Sequence, residues 1–329
     1  MKKLINDPFA VVDEALEGFV AAHDSIVVLA APRVVARRNP ARDKVGFVVG
    51  GGSGHEPAFA GYVGVGLADA AACGSVFASP PPDIVLAAIH AANFGRGVLM
   101  GYGNYAGDVM NFGLAMQMAK AEGIDVREVR VADDVASAPK AEAGKRRGIA
   151  GDVIVFKCAG AGAERGLALN DVERIAAKAN AQTRSMGVAL SACEVPGAGR
   201  PTFELPDGEM EIGMGVHGEP GVRRGPLEPA DAVAEALVKA ILDDIHDRDD
   251  GEVALLVNGL GATAHIEQYV FYRAARRALE AAGLKVVRSY VGEFITSLEM
   301  AGASVTVTLL DRELLDLLDA GAHAASFRV

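Results

Sequence analysis

The sequence predicts an α/β protein of two domains. The first is a mostly parallel sheet flanked by helices, and the second a smaller mixed or antiparallel α/β domain. Three observations lead there. Strand-like apolar segments alternate with helical ones through the first half of the chain. Aromatic residues make up only 5%, tryptophan is absent and glycine numbers 39, a composition suited to helices lying close on a sheet. After about residue 183 the style changes to β segments separated by Gly/Pro-rich turns, which sets the expected domains at 1–183 and 184–329. With 329 residues, half of them hydrophobic, the chain can bury two cores.

The elements follow in order. Residues 8–23 carry apolar side chains at helical spacing, with Pro8 suited to a first turn. "KVGFVVGGGSG" (44–54) is a strand running into a glycine loop, and "EPAFAGYVGVGLA" (56–68) is expected to open a helix with Pro57 in its first turn. Residues 79–93 form a helix with a proline-marked start. Residues 97–123 repeat the sequence of strand, glycine loop and helix. "VREVRVADD" (126–134) and "DVIVFKCAGAG" (152–162) are expected to be strands, and "LNDVERIAAKANAQTRS" (169–185) a helix. The second half offers β segments in 186–226, a helix over 228–246, the strand "EVALLVNGLG", a helix over 264–282, the strands "KVVRSYVG" and "SVTVTLL", and a last helix. In parallel sheets ligands sit beyond the carboxyl ends of strands, so the glycine loops near 52 and 103 are candidates for one pocket.

Other properties exclude classes of function. The net charge is −11 and no basic cluster could track a phosphate backbone, so nucleic acid is not an expected partner. Cys73, Cys158 and Cys193 show no CxxC spacing and read as small buried hydrophobes in a reducing compartment. The "MKK" start meets Asp7, Asp13 and Glu14 almost at once, unlike a secretion signal. No apolar run reaches the roughly 20 residues of a membrane span. The expectation is a cytoplasmic protein without a membrane partner.

Three motifs could carry chemistry. "GMGVHG" (213–218) matches G-x-G-x-x-G, but it runs into "EPGVRRGP" rather than a helix, and "GYGNYA" (101–106) lacks an acid at the required distance. No phosphate-binding G-x-x-x-x-G-K-[ST] occurs, because Lys145 is followed by Arg146 and Arg147. The seven histidines show no metal-ligand spacing. His23, His90, His246, His265 and His323 lie on or beside predicted helices, where a surface or core role is the default. His55 and His217 differ, since each stands among glycines ahead of a Glu-Pro that stiffens the turn. Asp108 falls at a predicted helix N-terminus, where it reads either as an N-cap or as a carboxylate base, and the two roles are compatible.

"GGGSGHEPAFAGYVG", "SPPPDIVLAAIHA", "GNYAGDVMNF", "AGAGAERG", "GVHGEPG", "NGLGAT" and "TSLEMAG" together resemble the dihydroxyacetone kinase family, specifically its substrate-binding K subunit, in colinear order over nearly the whole chain. The family's nucleotide-binding L domain has no counterpart here. The resemblance implies that His217 adds through a ring nitrogen to a ketone carbonyl, giving a covalent hemiaminal with a short-chain ketose. It implies that Asp108 accepts the proton of the terminal hydroxyl during phosphoryl transfer and that His55 hydrogen-bonds the substrate. Gly52, Ser53 and Gly54 would line the substrate, Gly52 and Ser53 through backbone N–H groups, with the glycines letting the backbone approach and leaving the His55 imidazole exposed. Gly103 and Asn104 would line the same site. No cofactor is expected on this chain, since Mg–ATP or a phosphohistidine relay would supply the phosphoryl group through a separate L-type subunit. The resemblance also implies a homodimer. One departure stands out. The family usually has Lys-Asn-Tyr where this chain reads Gly103-Asn104-Tyr105. Either the pocket is enlarged to take a longer ketose such as erythrulose, or a water or another side chain replaces the lysine. A ketose-binding regulatory protein that keeps the histidine but transfers no phosphate is the alternative function.

Overall fold

The computed structural model describes residues 2–245 and 251–329, and it divides into two units, each with its own six-stranded sheet. Its helices are α1 (Val11–Ala22), α2 (Pro82–Ala92), α3 (Ala106–Ala121), α4 (Asp152–Glu164), α5 (Leu169–Gln182), α6 (Ala230–Asp244), α7 (His265–Ala281) and α8 (Arg312–Leu318). The strands of the first unit are β1 (Val27–Ala31), β2 (Val34–Arg37), β3 (Gly46–Ser53), β4 (Gly64–Val65), β5 (Ala70–Val76), β6 (Val98–Gly103), β7 (Val126–Val131) and β14 (His323–Ala324). Those of the second are β8 (Thr183–Ala189), β9 (Glu209–Ile212), β10 (Arg223–Pro226), β11 (Glu252–Gly259), β12 (Lys285–Glu293) and β13 (Gly302–Leu310).

The first sheet has the order β1-β2-β5-β3-β6-β7. β5, β3, β6 and β7 are parallel, while β1 and β2 add an antiparallel edge. On one face, Val85, Ile89 and Ala92 of α2 and Phe112 and Ala115 of α3 pack on Val48, Met100 and Tyr102. On the other face Phe156 of α4 meets Phe47 edge-on at 5.9 Å between ring centroids. The second sheet, β10-β9-β8-β13-β11-β12, is antiparallel except for the pair β11–β12. Leu237 and Ile241 of α6 and Phe271 and Ala275 of α7 cover it. Both layouts agree with the predicted fold class. Among the described residues no helix is long and apolar enough to cross a membrane.

The units do not follow a single cut at 183/184. The first holds 1–131, 154–179 and 314–329, and the second 132–153 and 180–313, so the chain passes between them four times. Two elements also differ from expectation. Residues 152–162 are the start of helix α4, not a strand. A short apolar run reads equally as buried strand or buried helix, and here nearly every position is enclosed. The small residues are the mark of the helix: a Cβ on Gly160 would stand 2.5 Å from the Leu67 backbone. The segment after Pro57 forms only a 3₁₀ turn, Ala60–Tyr62, before β4. There Gly64 lies so close to β14 that a Cβ would stand 2.2 Å from the His323 carbonyl oxygen, and Gly66 has φ +70°. Contact between strands outweighs helix formation. The predicted end of α6 at His246 lies outside the described residues.

Candidate functional site

In the first unit, β5, β3 and β6 lie side by side and parallel, so their carboxyl ends share one edge. Gly52 and Ser53 end β3 with Gly54 and His55 just beyond, Phe77 follows β5, and Gly103 ends β6 with Asn104 next and Asp108 in the first turn of α3. The edge therefore brings together every residue predicted for the first glycine loop and the second.

The reason for the glycines differs from the one expected. A Cβ on Gly51 would stand 2.4 Å from the Phe59 ring, and one on Gly52 would stand 2.7 Å from the Ala78 nitrogen. These residues are glycine because the protein itself fills the space. His55 is not exposed either: it retains 4% of its accessible surface and stacks on Phe77 at 5.0 Å. The imidazole is thus fixed rather than presented on a bare loop. The Ser53 hydroxyl donates to the Gly74 carbonyl at 2.8 Å, and the Ser53 carbonyl accepts from the Phe77 N–H at 2.9 Å. Gly54, with φ +98°, donates its N–H to the Glu56 carboxylate at 3.0 and 3.1 Å. Its own turn uses that donor.

At the end of β6, the Asn104 N–H donates to the Val131 carbonyl at 2.9 Å and the Tyr105 N–H to that of Gly103 at 2.8 Å. Helix α3 starts at once, with Tyr105 as N-cap and no side-chain cap. Asp108 is the third residue of the helix, and the N-cap position itself falls to Tyr105. The Asp108 carboxylate is buried, with 9% of the residue exposed, at the positive end of the helix dipole.

His217 belongs to the second unit, in the loop between β9 and β10. Its Nδ1 lies 3.0 Å from Glu219 Oε1, and its backbone N–H donates to Glu219 Oε2 at 3.0 Å. With Nδ1–H given to the carboxylate, the neutral ring carries its lone pair on Nε2. The Ser297 hydroxyl donates to the carbonyl of Val216, the residue before it. Burial pushes the Glu219 carboxyl up, but the hydrogen bond and charge of His217, with Arg147, outweigh it and hold the group at about 2. Arg147 Nη1 lies 3.8 Å from Glu219, and its Nη2 is 2.8 Å from Asp134. Burial pushes Asp134 up to about 6 against the opposing charge of Arg147.

Glu219, Arg147 and Asp134 were not singled out from the sequence. The H-x-E spacing was the available signal for Glu219, which was read only as part of a stiff turn. Arg147 and Asp134 lie far from the motif, and nothing local marks them. Of the other histidines, His90 pairs with Glu122 on the surface at 2.5 Å, His23 ends α1, His265 opens α7 and His323 sits in β14 rather than a helix. His246 lies outside the described residues. Cys73, Cys158 and Cys193 are all buried thiols, and burial raises that of Cys73 to about 12. Among the described residues no group of three or more His, Cys, Asp or Glu could hold a metal ion.

Residues 17–326 match the family pattern of the Dak1 domain. The chain is 45% identical over its whole length to the whole of "PTS-dependent dihydroxyacetone kinase 2, dihydroxyacetone-binding subunit DhaK" of Listeria innocua. It is 46% identical over 95% of its length to the "D-erythrulose kinase" of Mycolicibacterium smegmatis, of which it spans only 54%. Among solved structures, the "Dihydroxyacetone kinase operon co-activator Dha-DhaQ" superposes with a TM-score of 0.89 at 34% identity, covering 95% of this chain and 97% of that one.

Proposed function

Because the chain belongs to the Dak1-domain family, we propose that it is the ketose-binding subunit of a dihydroxyacetone-type kinase. It holds a short-chain ketose, dihydroxyacetone or a tetrulose such as erythrulose, as a hemiaminal on His217. The observation that carries this reading is the His217–Glu219 pair, which sets the proton on Nδ1 and the nucleophilic lone pair on Nε2. That lone pair forms the bond to the carbonyl carbon while the C=O π electrons move to oxygen. The oxygen gains one proton and the ring gives up the one on Nδ1, so the adduct is neutral overall. Glu219 stabilises the positive charge the ring carries in between. Polyols such as glycerol offer no carbonyl and are not held this way.

Asp108 is the base that takes the proton of the terminal hydroxyl as phosphate is transferred, and His55, fixed against Phe77, hydrogen-bonds the substrate. The phosphoryl group comes from Mg–ATP or a phosphohistidine on a separate L-type subunit. The chain is active only with that partner, works in the cytoplasm and forms a homodimer. Likeness to the co-activator favours one second reading, a ketose sensor without phosphotransfer. A sensor needs His217 but has no use for a buried carboxylate at the start of α3, so Asp108 favours the enzyme.

The test is a crystal structure after soaking separately in dihydroxyacetone and erythrulose, with His217→Ala as control. Continuous density from the imidazole to the carbonyl carbon, lost in the variant, is expected. Its absence in both soaks at saturating ligand would overturn the hemiaminal reading.

A further inference from the structure

The loop that carries His217 is wound around one guanidinium. Arg147 Nη2 donates to the Gly213 carbonyl at 3.1 Å, at the start of the loop. Its Nη1 faces Glu219 Oε2 at 3.8 Å, at the end. Behind it, Arg147 Nε donates to Asp134 Oδ2 at 2.9 Å. Asp134 is in turn held by its backbone, with its N–H donating to the Arg147 carbonyl at 3.1 Å and its Oδ1 accepting from the Ala136 N–H at 3.0 Å. Gly215 completes the winding. A Cβ there would stand 2.2 Å from Glu219 Oε2 and 2.5 Å from Arg147 Nη1, so only glycine lets the two side chains meet under the loop.

Charges alternate from Asp134 through Arg147 to Glu219, and the line ends at the His217 ring. Glu219 has two oxygens and two tasks. Oε1 receives the ring Nδ1–H, and Oε2 receives the His217 backbone N–H on the side facing Arg147. A carboxylate drawn toward a guanidinium is a weaker proton acceptor, so the proton stays on Nδ1 rather than passing to the carboxylate.

We propose that Arg147, anchored by Asp134, is a positioning residue for the covalent step: it holds Glu219 so that His217 keeps its Nδ1–H form and directs Nε2 at the ketose. This inference rests on the hemiaminal reading for its consequence, but its structural half is measurable without any ketose. Nitrogen-15 spectra of histidine-labelled protein report the tautomer of His217 directly. In ligand-free wild type, the Nδ1–H form is expected to predominate. In Arg147→Met it is expected to lose that predominance, and dihydroxyacetone affinity, measured by calorimetry, is expected to fall about tenfold or more. Arg147→Lys keeps the charge and should recover part of both.

An unchanged His217 spectrum in folded Arg147→Met protein would overturn the proposal. Should that variant fail to fold, Gly215→Ala decides, since it pushes the two side chains apart without removing a charge. The same spectral change then supports the proposal, and an unchanged spectrum overturns it. If the variants shift the tautomer while the wild type forms no adduct with dihydroxyacetone, the positioning role stands and the hemiaminal reading falls.

Discussion

His55 and His217 illustrate how one motif can serve two settings. Both precede or flank a Glu-Pro among glycines, yet His55 is buried and stacked while the His217 side chain keeps 26% of its surface and pairs with a carboxylate. The difference bears on what a substitution at Asp108 should do. If Asp108 is the base, Asp108→Asn should leave ketose affinity nearly unchanged while lowering phosphorylation, assayed with the partner subunit, by about 10²-fold or more. A parallel loss of affinity would instead make it a binding group. Gly103 is the other informative residue. It is the buried last residue of β6, opposite Val131 of β7, in the place where the family usually carries lysine. Gly103→Lys restores an ammonium and fills space, and should shift the preference toward dihydroxyacetone over erythrulose. Equal kcat/KM ratios in variant and wild type would refute the enlarged pocket. From sequence, the family motifs single out these residues as candidates. The contacts that orient them were not legible there, because Arg147 reaches Glu219 from 72 positions away along the chain.

At the scale of elements, β3, β6 and β7 and the main strands of the second sheet were legible as apolar runs, while β1, β2 and β5 of the first sheet were not assigned. The two misassigned segments, 56–68 and 152–162, share a cause: glycine looks the same in sequence whether it ends a strand, allows a close approach or merely sits in a helix. Helix α4 hid because its glycines and alanines are contact surface, whereas α3 was expected although its exposed Met110, Leu114 and Met118 blur the amphipathic period. Two glycine substitutions separate these meanings. Gly113 in α3 has nothing within 4 Å of a built Cβ, so Gly113→Ala should stabilise the protein by about 0.5–1 kcal/mol through helix propensity. Gly160 in α4 faces the Leu67 backbone, which cannot swing away as a side chain would. Gly160→Ala should therefore destabilise by about 1–3 kcal/mol despite the same gain in propensity. Denaturant unfolding of the two variants checks both signs, and a stabilising Gly160→Ala would mean that α4 is not held against that backbone.

For the molecule as a whole, the excess of acidic residues, 43 against 32 basic, makes its response to acid depend on which carboxylates folding has shifted. Those in the second unit are shifted in opposite directions. Arg146, 1% exposed, forks onto Asp244 at 2.8 and 2.5 Å, and Arg184 adds a third bond at 2.7 Å. The hydrogen bond from Arg146 is the largest influence and, with Arg184, holds Asp244 at about 2 against a desolvation that would raise it. A carboxylate whose folded value lies below its unfolded one contributes stability above the unfolded value, near 4, and loses it as pH falls toward 2. Glu219, also at about 2, acts in the same sense. Asp134 acts in the opposite one. Raised to about 6, it binds its proton in the folded state first, so acidification from pH 6 to 4 adds stability. The two signs together place the maximum of Tm between about pH 4 and 6, with a steep fall below it. Asp244→Asn should lower stability at pH 7 by about 3 kcal/mol, because it leaves Arg146 buried with its charge uncompensated. The same variant should flatten the acid limb, since the group that titrates there is gone. Calorimetric scans of both proteins from pH 3 to 8 decide the matter, and limbs that fall in parallel below pH 4 would place the acid sensitivity elsewhere.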